Sequence, residues 1–253
     1  MNPMEQFAIQ NLVAEPLFHL GGHPIYFTNQ ALLMMIVVGA SILFLTFAVK
    51  PGRLVPTRAQ SMAELSYEFV GNIIHSSTGD AGLKFFPFVF SLFMFVLCSN
   101  FFGMVPVPGN FTVTSQIAVT LALACLVILL VIVVGFMKHG LGFLKLFVPH
   151  APLPLLFLLV PIEVISFLTR PISLSVRLFA NMLAGHTLLA VFAGFVVSLG
   201  FAGGVLSVVA VAPMLMMIAI MLLELLVAFL QAYVFAILTC IYLNEALHLH
   251  DHH

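Results

Sequence analysis

Four charged side chains stand inside two long apolar stretches of this chain. Glu163, Arg170 and Arg177 lie in 151–199 and Glu224 lies in 201–243. Asn181, His186 and Gln231 share those stretches. A charge at the centre of a membrane span costs about 2.5–3.5 kcal/mol on insertion scales, so a partner or a water path is expected for each. Glu163, Arg170 and Arg177 are seven residues apart, two helical turns each, and therefore share one face. Ser166 and Ser173 join that face three residues on, and Asn181 flanks Arg177 at the fourth position. His186 follows Arg177 by nine residues, about 13 Å further along an ideal helix and near its opposite face. In the second stretch Glu224 and Gln231 are again seven apart, and Tyr242 falls on nearly the same stripe.

These residue types divide the work of moving a proton. Carboxylates and imidazoles exchange protons near neutral pH once burial shifts their affinities, which suits Glu163, His186 and Glu224. Arginine does not, because its pKa exceeds about 12. Arg177, expected to be buried, is thus a poor relay and a good electrostatic barrier. It repels a passing proton and pairs with a carboxylate brought to it. No well-placed acid stands near it on its own helix, so the missing carboxylate is expected on another subunit.

Plainer readings stand beside these. Glu163 could simply reach water from a helix end. Arg170, beside Pro171, reads as structural or interfacial. His186 could be a satisfied core histidine, and Arg177 could pair within the chain with Glu224 or Glu163. The tail histidines read as solvated, not as a metal site.

The composition says what must hold these residues. Of 253 residues, 62% are hydrophobic and 7% charged, with a mean hydropathy of +1.22. Soluble domains carry about 25% charged residues. Eight Lys/Arg and nine Asp/Glu could not cover a soluble surface of this size. Soluble enzymes, nucleic-acid binders and secreted modules are excluded, and a net charge of -1 offers nucleic acid no basic field. Cys98, Cys125 and Cys240 lie in apolar runs without C-x-x-C spacing, so they read as small buried hydrophobes. No metal or cofactor is expected.

The expected fold is an all-α polytopic membrane protein, a single membrane domain over 1–253. It has about five crossing helices plus one interfacial amphipathic helix. Residues 1–30 form an outside segment without Lys or Arg, which argues against a secretory signal peptide. The first span, 31–49, suits a hydrocarbon core of about 30 Å. Lys50, Arg53 and Arg58 follow it, which places this end inside. Thr57 and Gln60 fit a capping box for a helix over 57–76, where Met62, Leu65, Phe69 and Ile73 recur at helical spacing. That pattern suits the inner interface.

Spans over 85–107 and 112–137 bring Lys84, Lys138 and Lys145 to the same inner side. The Asn110-Phe111-Thr112 sequon sits in a tight outside loop and reads as unused. The stretches 151–199 and 201–243 form a long tilted hairpin, interrupted by Pro152, Pro154, Pro161, Pro171 and Pro213 and turning at Gly200, Gly203 and Gly204. A helix of roughly 40 residues would reach about 60 Å, twice the hydrocarbon thickness, and so must tilt, lie in plane or break. The tail, 244–253, is expected inside. Glu163 then lies towards the inside, while His186 and Glu224 flank the outer turn and can approach each other.

The run Ser173-Leu174-Ser175-Val176-Arg177-Leu178-Phe179-Ala180-Asn181-Met182-Leu183-Ala184-Gly185-His186 resembles the signature of subunit a of F-type ATP synthases. Leu230-Gln231-Ala232-Tyr233-Val234-Phe235, followed by Ile241-Tyr242-Leu243, resembles that family's last helix. Gly103-Met104-Val105-Pro106 and Phe111-Thr112-Val113-Thr114 fit as well. The likeness covers nearly the whole chain, and pairing His186 with Glu224 resembles the alphaproteobacterial and mitochondrial branch.

The resemblance implies a non-catalytic, proton-translocating stator subunit with two aqueous half-channels. They lead to a ring of small hairpin subunits, each carrying one essential carboxylate. It also implies peripheral-stalk and other ATP synthase subunits as partners. By likeness, Arg177 keeps the passing ring carboxylate ionised. His186, Glu224, Asn181 and Gln231 match the outer half-channel or the arginine's surroundings, and Glu163, Ser166 and Ser173 match the inner path. Some relatives carry an acid near the second span's outer end, whereas Asn100 to Asn110 has none. Outer access is therefore expected to use Asn100, His186 and Glu224 with water. A bacterial inner membrane is favoured over the mitochondrial one, on the compact chain and the lack of a presequence. The rival is a proton-coupled secondary transporter, opposed by polar residues confined to one half of the chain, where transporters repeat their halves.

Overall fold

A computed structural model describes residues 11–12, 18–20, 23–49, 56–105, 112–148, 153–203 and 208–248. Lys50 and Arg53, the turn at 106–110 with the start of the sequon, Pro152, Gly204 and the tail from 249 on lie outside the described residues, as does much of 1–22. Among the described residues, five helical stretches are long and apolar enough to cross a membrane: Asn29–Ala48, Arg58–Met104, Ile117–Leu144, Leu155–Phe201 and Val211–Leu247. The all-α polytopic class holds, with one small addition. Strands β1 (Phe18–Leu20) and β2 (His23–Ile25) pair antiparallel ahead of the first helix, Phe18 opposite Ile25.

Helix α1 (Asn29–Ala48) opens where the Thr28 hydroxyl accepts the Ala31 N–H at 3.3 Å. Helix α2 (Arg58–Thr78) is capped by Thr57, whose hydroxyl accepts the Gln60 N–H at 3.3 Å. Gln60 itself turns away to Glu64 at 2.8 Å, so half of the capping box forms. The expected apolar stripe of α2 divides. Ile73 is buried with Val70 and Ile74, and Ala63 is buried in the first two turns, but Met62 and Leu65 stand on a side that nothing in the described chain covers. A 3₁₀ segment, Gly79–Phe85, leads directly into α3 (Phe86–Met104).

A short 3₁₀ turn, Val113–Ser115, precedes α4 (Ile117–His139), and a second 3₁₀ stretch, Gly140–Phe147, follows it. Helix α5 runs Leu153–Phe201, 49 residues, unbroken through Pro161 and Pro171. Those prolines were expected to interrupt it. Each removes a single backbone donor, and in an apolar setting the remaining ladder holds because no water competes for it. The backbone turns after Phe201, where Gly203 adopts φ 71°, a left-handed geometry that glycine enters without steric cost. Helix α6 (Val211–Leu247) returns, with Pro213 in its first turn where a missing N–H costs little. Its buried positions Ala228, Ala232, Ala236, Cys240 and Ala246 are small, which lets neighbouring backbones approach.

By packing, the chain separates into two compact units. One comprises Met1–Phe47, Phe95–Gln116 and Phe179–Gln231; the other comprises Ala48–Met94, Ile117–Leu178 and Ala232–His253. In the second, Lys138 Nζ donates to the Leu247 carbonyl at 2.8 Å and His139 lies 3.4 Å from the same oxygen. These contacts place basic groups at the carbonyl end of α6, where the helix dipole favours them. The cysteines depart from expectation. All three are free, but only Cys240 is buried, while Cys98 is partly exposed and Cys125 exposed. Cys125 lies on the lipid-compatible side of an almost wholly apolar helix, where a small thiol needs no burial in protein.

Candidate functional site

Helix α5 buries one stripe and leaves another open. Phe167, Pro171, Leu174, Leu178 and Met182 are buried. Arg177 stands about 100° round from the centre of that stripe at roughly 100° per residue, and it is exposed, as are Ser173, Ala180 and Ala184. This corrects the expectation of a buried Arg177. Among the described residues Arg177 also has no hydrogen bond and no ion pair. Pairing within the chain to Glu224 or Glu163 is therefore absent from the described residues.

In the second unit, a cleft of about 320 Å³ is lined by Ser166, Arg170, Ser173, Arg177 and Tyr242, with Thr169, Leu174 and Leu238 completing the wall. The sequence spacing places Glu163, Ser166, Ser173 and both arginines on one helix face; all of these but Glu163 line the cleft, and the structure adds Tyr242 from α6. Glu163 is half-buried and does not line this cleft. Arg170 is ion-paired to Glu245, and its guanidinium carbon lies 5.3 Å from the centre of the Tyr242 ring. That agrees with the structural reading of Arg170. The sequence does not single out that partner, because Glu245 falls in the 244–253 tail, beyond the hairpin stretch 201–243. Thr120 and Ser175, 3.1 Å apart and buried, join α4 to α5 nearby.

In the first unit His186 and Glu224 come together. Helix α5 presents His186 and α6 presents Glu224, with Nε2 and Oε1 3.5 Å apart. The Glu224 side chain is 2% exposed, and neither of its oxygens has a hydrogen bond among the described residues. Gly185 makes the room. A Cβ there would stand 2.8 Å from Glu224 Oε1 and 3.0 Å from Cδ. Thr112 supplies the other neighbour, its hydroxyl bonded to His186 Nε2. Gly103 in turn admits Thr112, since a Cβ there would lie 2.7 Å from the Thr112 Cα.

Asn100 is fully buried and already employed. It donates to the Ala228 carbonyl at 3.1 Å and accepts from Thr114 Oγ1 at 2.6 Å. Gln231 is buried with its Oε1 unbonded among the described residues, and Asn181 is partly exposed. Glu224, Gln231 and Tyr242, expected on one stripe of α6, are all buried. Sequence reasoning missed Thr112, Thr114, Gly185 and Glu245 as neighbours of these groups. The two threonines and Gly185 stood inside recognised motifs, but only the packing says whom they touch. Among the described residues there is no cluster suited to a metal ion.

Comparison with known proteins bears on the chain as a whole. The family model described as ATP synthase A chain matches residues 31–244. A protein named ATP synthase subunit a from Mesorhizobium japonicum is 59% identical over 251 residues, covering 98% of this chain and 97% of that one. Its namesakes from Allorhizobium ampelinum and Sinorhizobium medicae are 57% and 56% identical over 98–99% of this chain and 97–99% of their own. These relatives are alphaproteobacterial, the branch that pairing His186 with Glu224 resembles. A signature centred on Arg177, five helical stretches able to cross a membrane and identity sustained over almost the full length all agree, and the chain belongs to the ATP synthase A chain family.

Proposed function

We propose that this chain is the proton-translocating stator subunit of an F-type ATP synthase, working with the other subunits of that complex. It provides one half-channel to, and another from, a rotating ring of small hairpin subunits that each carry an essential carboxylate. The observation that carries this reading is Arg177: a permanent cation on the open face of an apolar helix, with no acid partner among the described residues. A carboxylate delivered by another subunit supplies what it lacks. When that carboxylate arrives, Arg177 favours its ionised form and releases its proton. Between arrivals the fixed charge repels protons and keeps the two half-channels from short-circuiting.

His186 and Glu224 serve the outer half-channel, with Asn181 and Gln231 around them. Asn100 contributes by holding α6 and the 112–115 turn in place beside them. Glu163, Ser166, Ser173 and Tyr242 serve the inner path. The subunit performs no ATP chemistry: the sequence holds no G-x-x-x-x-G-K-[ST] loop to cradle phosphates. Its place is a bacterial inner membrane, where peripheral-stalk subunits keep it from turning with the ring.

The test uses inverted membrane vesicles carrying Arg177→Ala in a complex whose assembly is confirmed by blotting. ATP-driven acidification is followed by dye quenching, and passive proton leak is measured after the soluble sector is stripped. Lost pumping with a raised leak is expected. Normal pumping in the assembled variant would remove Arg177 from the path and the stator reading with it.

A further inference from the structure

The cleft beside Arg177 holds two arginines, and the structure treats them unequally. Arg170 and Arg177 are seven residues apart on one face of α5, about 10 Å along the axis. Both line the cleft. Arg177 is exposed with no acid partner among the described residues. Arg170 is ion-paired through Nη1 to Glu245 Oε2 and packed at cation–π range on Tyr242. The side chains of Arg170 and Glu245 are 27% and 30% exposed, sheltered enough for solvent screening to be incomplete. Two bare guanidinium groups would give an incoming carboxylate two places to dock, two helical turns apart. Neutralising one leaves a single unpaired cation on the cleft wall.

The geometry points to Glu245 as a masking residue. It cancels the charge of Arg170, so that Arg177 alone receives the mobile carboxylate of the ring. The inference rests on the proposed function and adds to it a residue that decides where the carboxylate stops. Glu245 acts through Arg170 and touches neither the proton nor the ring, so it is a positioning residue. Tyr242 completes the mask by covering the guanidinium face that the carboxylate of Glu245 leaves free.

A mask and a mere strap between α5 and α6 make opposite predictions for a double substitution. Glu245→Gln uncovers a unit charge about 10 Å from Arg177, and at an effective dielectric near 20 a unit charge at that distance is worth on the order of tenfold in carboxylate partition. ATP-driven acidification in inverted vesicles, measured on complexes of matched subunit content, should fall by about that factor. Adding Arg170→Gln removes the uncovered charge together with the bond, and pumping should return to within about twofold of the unsubstituted complex. A strap would stay broken in the double variant. Undiminished pumping in Glu245→Gln overturns the mask, and so does a double variant as slow as the single one. If the single variant does not assemble, the double decides alone: pumping within about twofold supports the mask and a loss of about tenfold overturns it. Arg177→Ala, run alongside, separates the two levels, because normal pumping there defeats the proposed function whatever Glu245 does.

Discussion

The His186–Glu224 pair is held by contacts that differ in kind, and each can be removed singly. The Thr112 hydroxyl meets His186 Nε2, the same nitrogen that lies 3.5 Å from Glu224. Thr112→Val keeps the shape and deletes the bond, a loss of about 1 kcal/mol. Proton-coupled ATP synthesis should slow by about fivefold if the ring must hold that orientation for transfer, and an unchanged rate would make Thr112 a packing residue only. Gly185→Ala acts on the other side. Its new methyl group would lie 2.8 Å from Glu224 Oε1, so the carboxyl must move. Assembly should survive while synthesis falls, because displaced transfer partners are costly when each must stand within hydrogen-bond reach. Glu224→Gln should likewise slow synthesis in an intact complex, and an unaltered rate would take Glu224 off the path.

At the scale of elements, local signals in the sequence translated well where a single helix decided the outcome. The Thr57 cap, the shared face of Ser166, Arg170, Ser173 and Arg177, and the buried stripe of Glu224, Gln231 and Tyr242 all follow from 3.6-residue periodicity. Because the Thr57 cap is exposed and local, Thr57→Ala should loosen only the start of α2. Amide exchange in its first turn should rise by about fivefold, the equivalent of about 1 kcal/mol, with α3 unaffected. Faster exchange throughout α2 would mean that the cap supports the whole helix. What periodicity could not supply was the partner across the gap. Glu245 stands in the 244–253 tail with Asp251 and four histidines, and only the return of α6 beside α5 turns it into the counter-ion of Arg170. The burial of Arg177 was misjudged for a related reason. An apolar neighbourhood in sequence suggests enclosure, yet a helix in a membrane can leave apolar residues, and an arginine among them, uncovered by its own chain. The β1–β2 pair escaped notice since three residues per strand carry no usable alternation.

For the whole molecule, the orientation in the bilayer rests on charge. Residues 1–30 contain no Lys or Arg, whereas Lys50, Arg53, Arg58, Lys84, Lys138 and Lys145 flank alternate ends of the spans so that one side collects them all. The positive-inside rule then puts Pro24 outside and Arg58 inside. Both positions are exposed in the structure, so a thiol at either can be reached from water. With Cys98, Cys125 and Cys240 replaced by alanine, Pro24→Cys should react with a membrane-impermeant maleimide in intact spheroplasts and be protected in inverted vesicles. Arg58→Cys should show the reverse. Labelling of Pro24→Cys from the inner side would invert the orientation and exchange the sides served by the two half-channels, moving the His186–Glu224 pair from the outer path to the inner one. Labelling of Arg58→Cys from the outside with Pro24→Cys unchanged would mean that the first helix does not cross, and the chain would then have four crossings. The expected pattern keeps the positive loops inside and leaves His186 and Glu224 facing the compartment from which protons enter during synthesis.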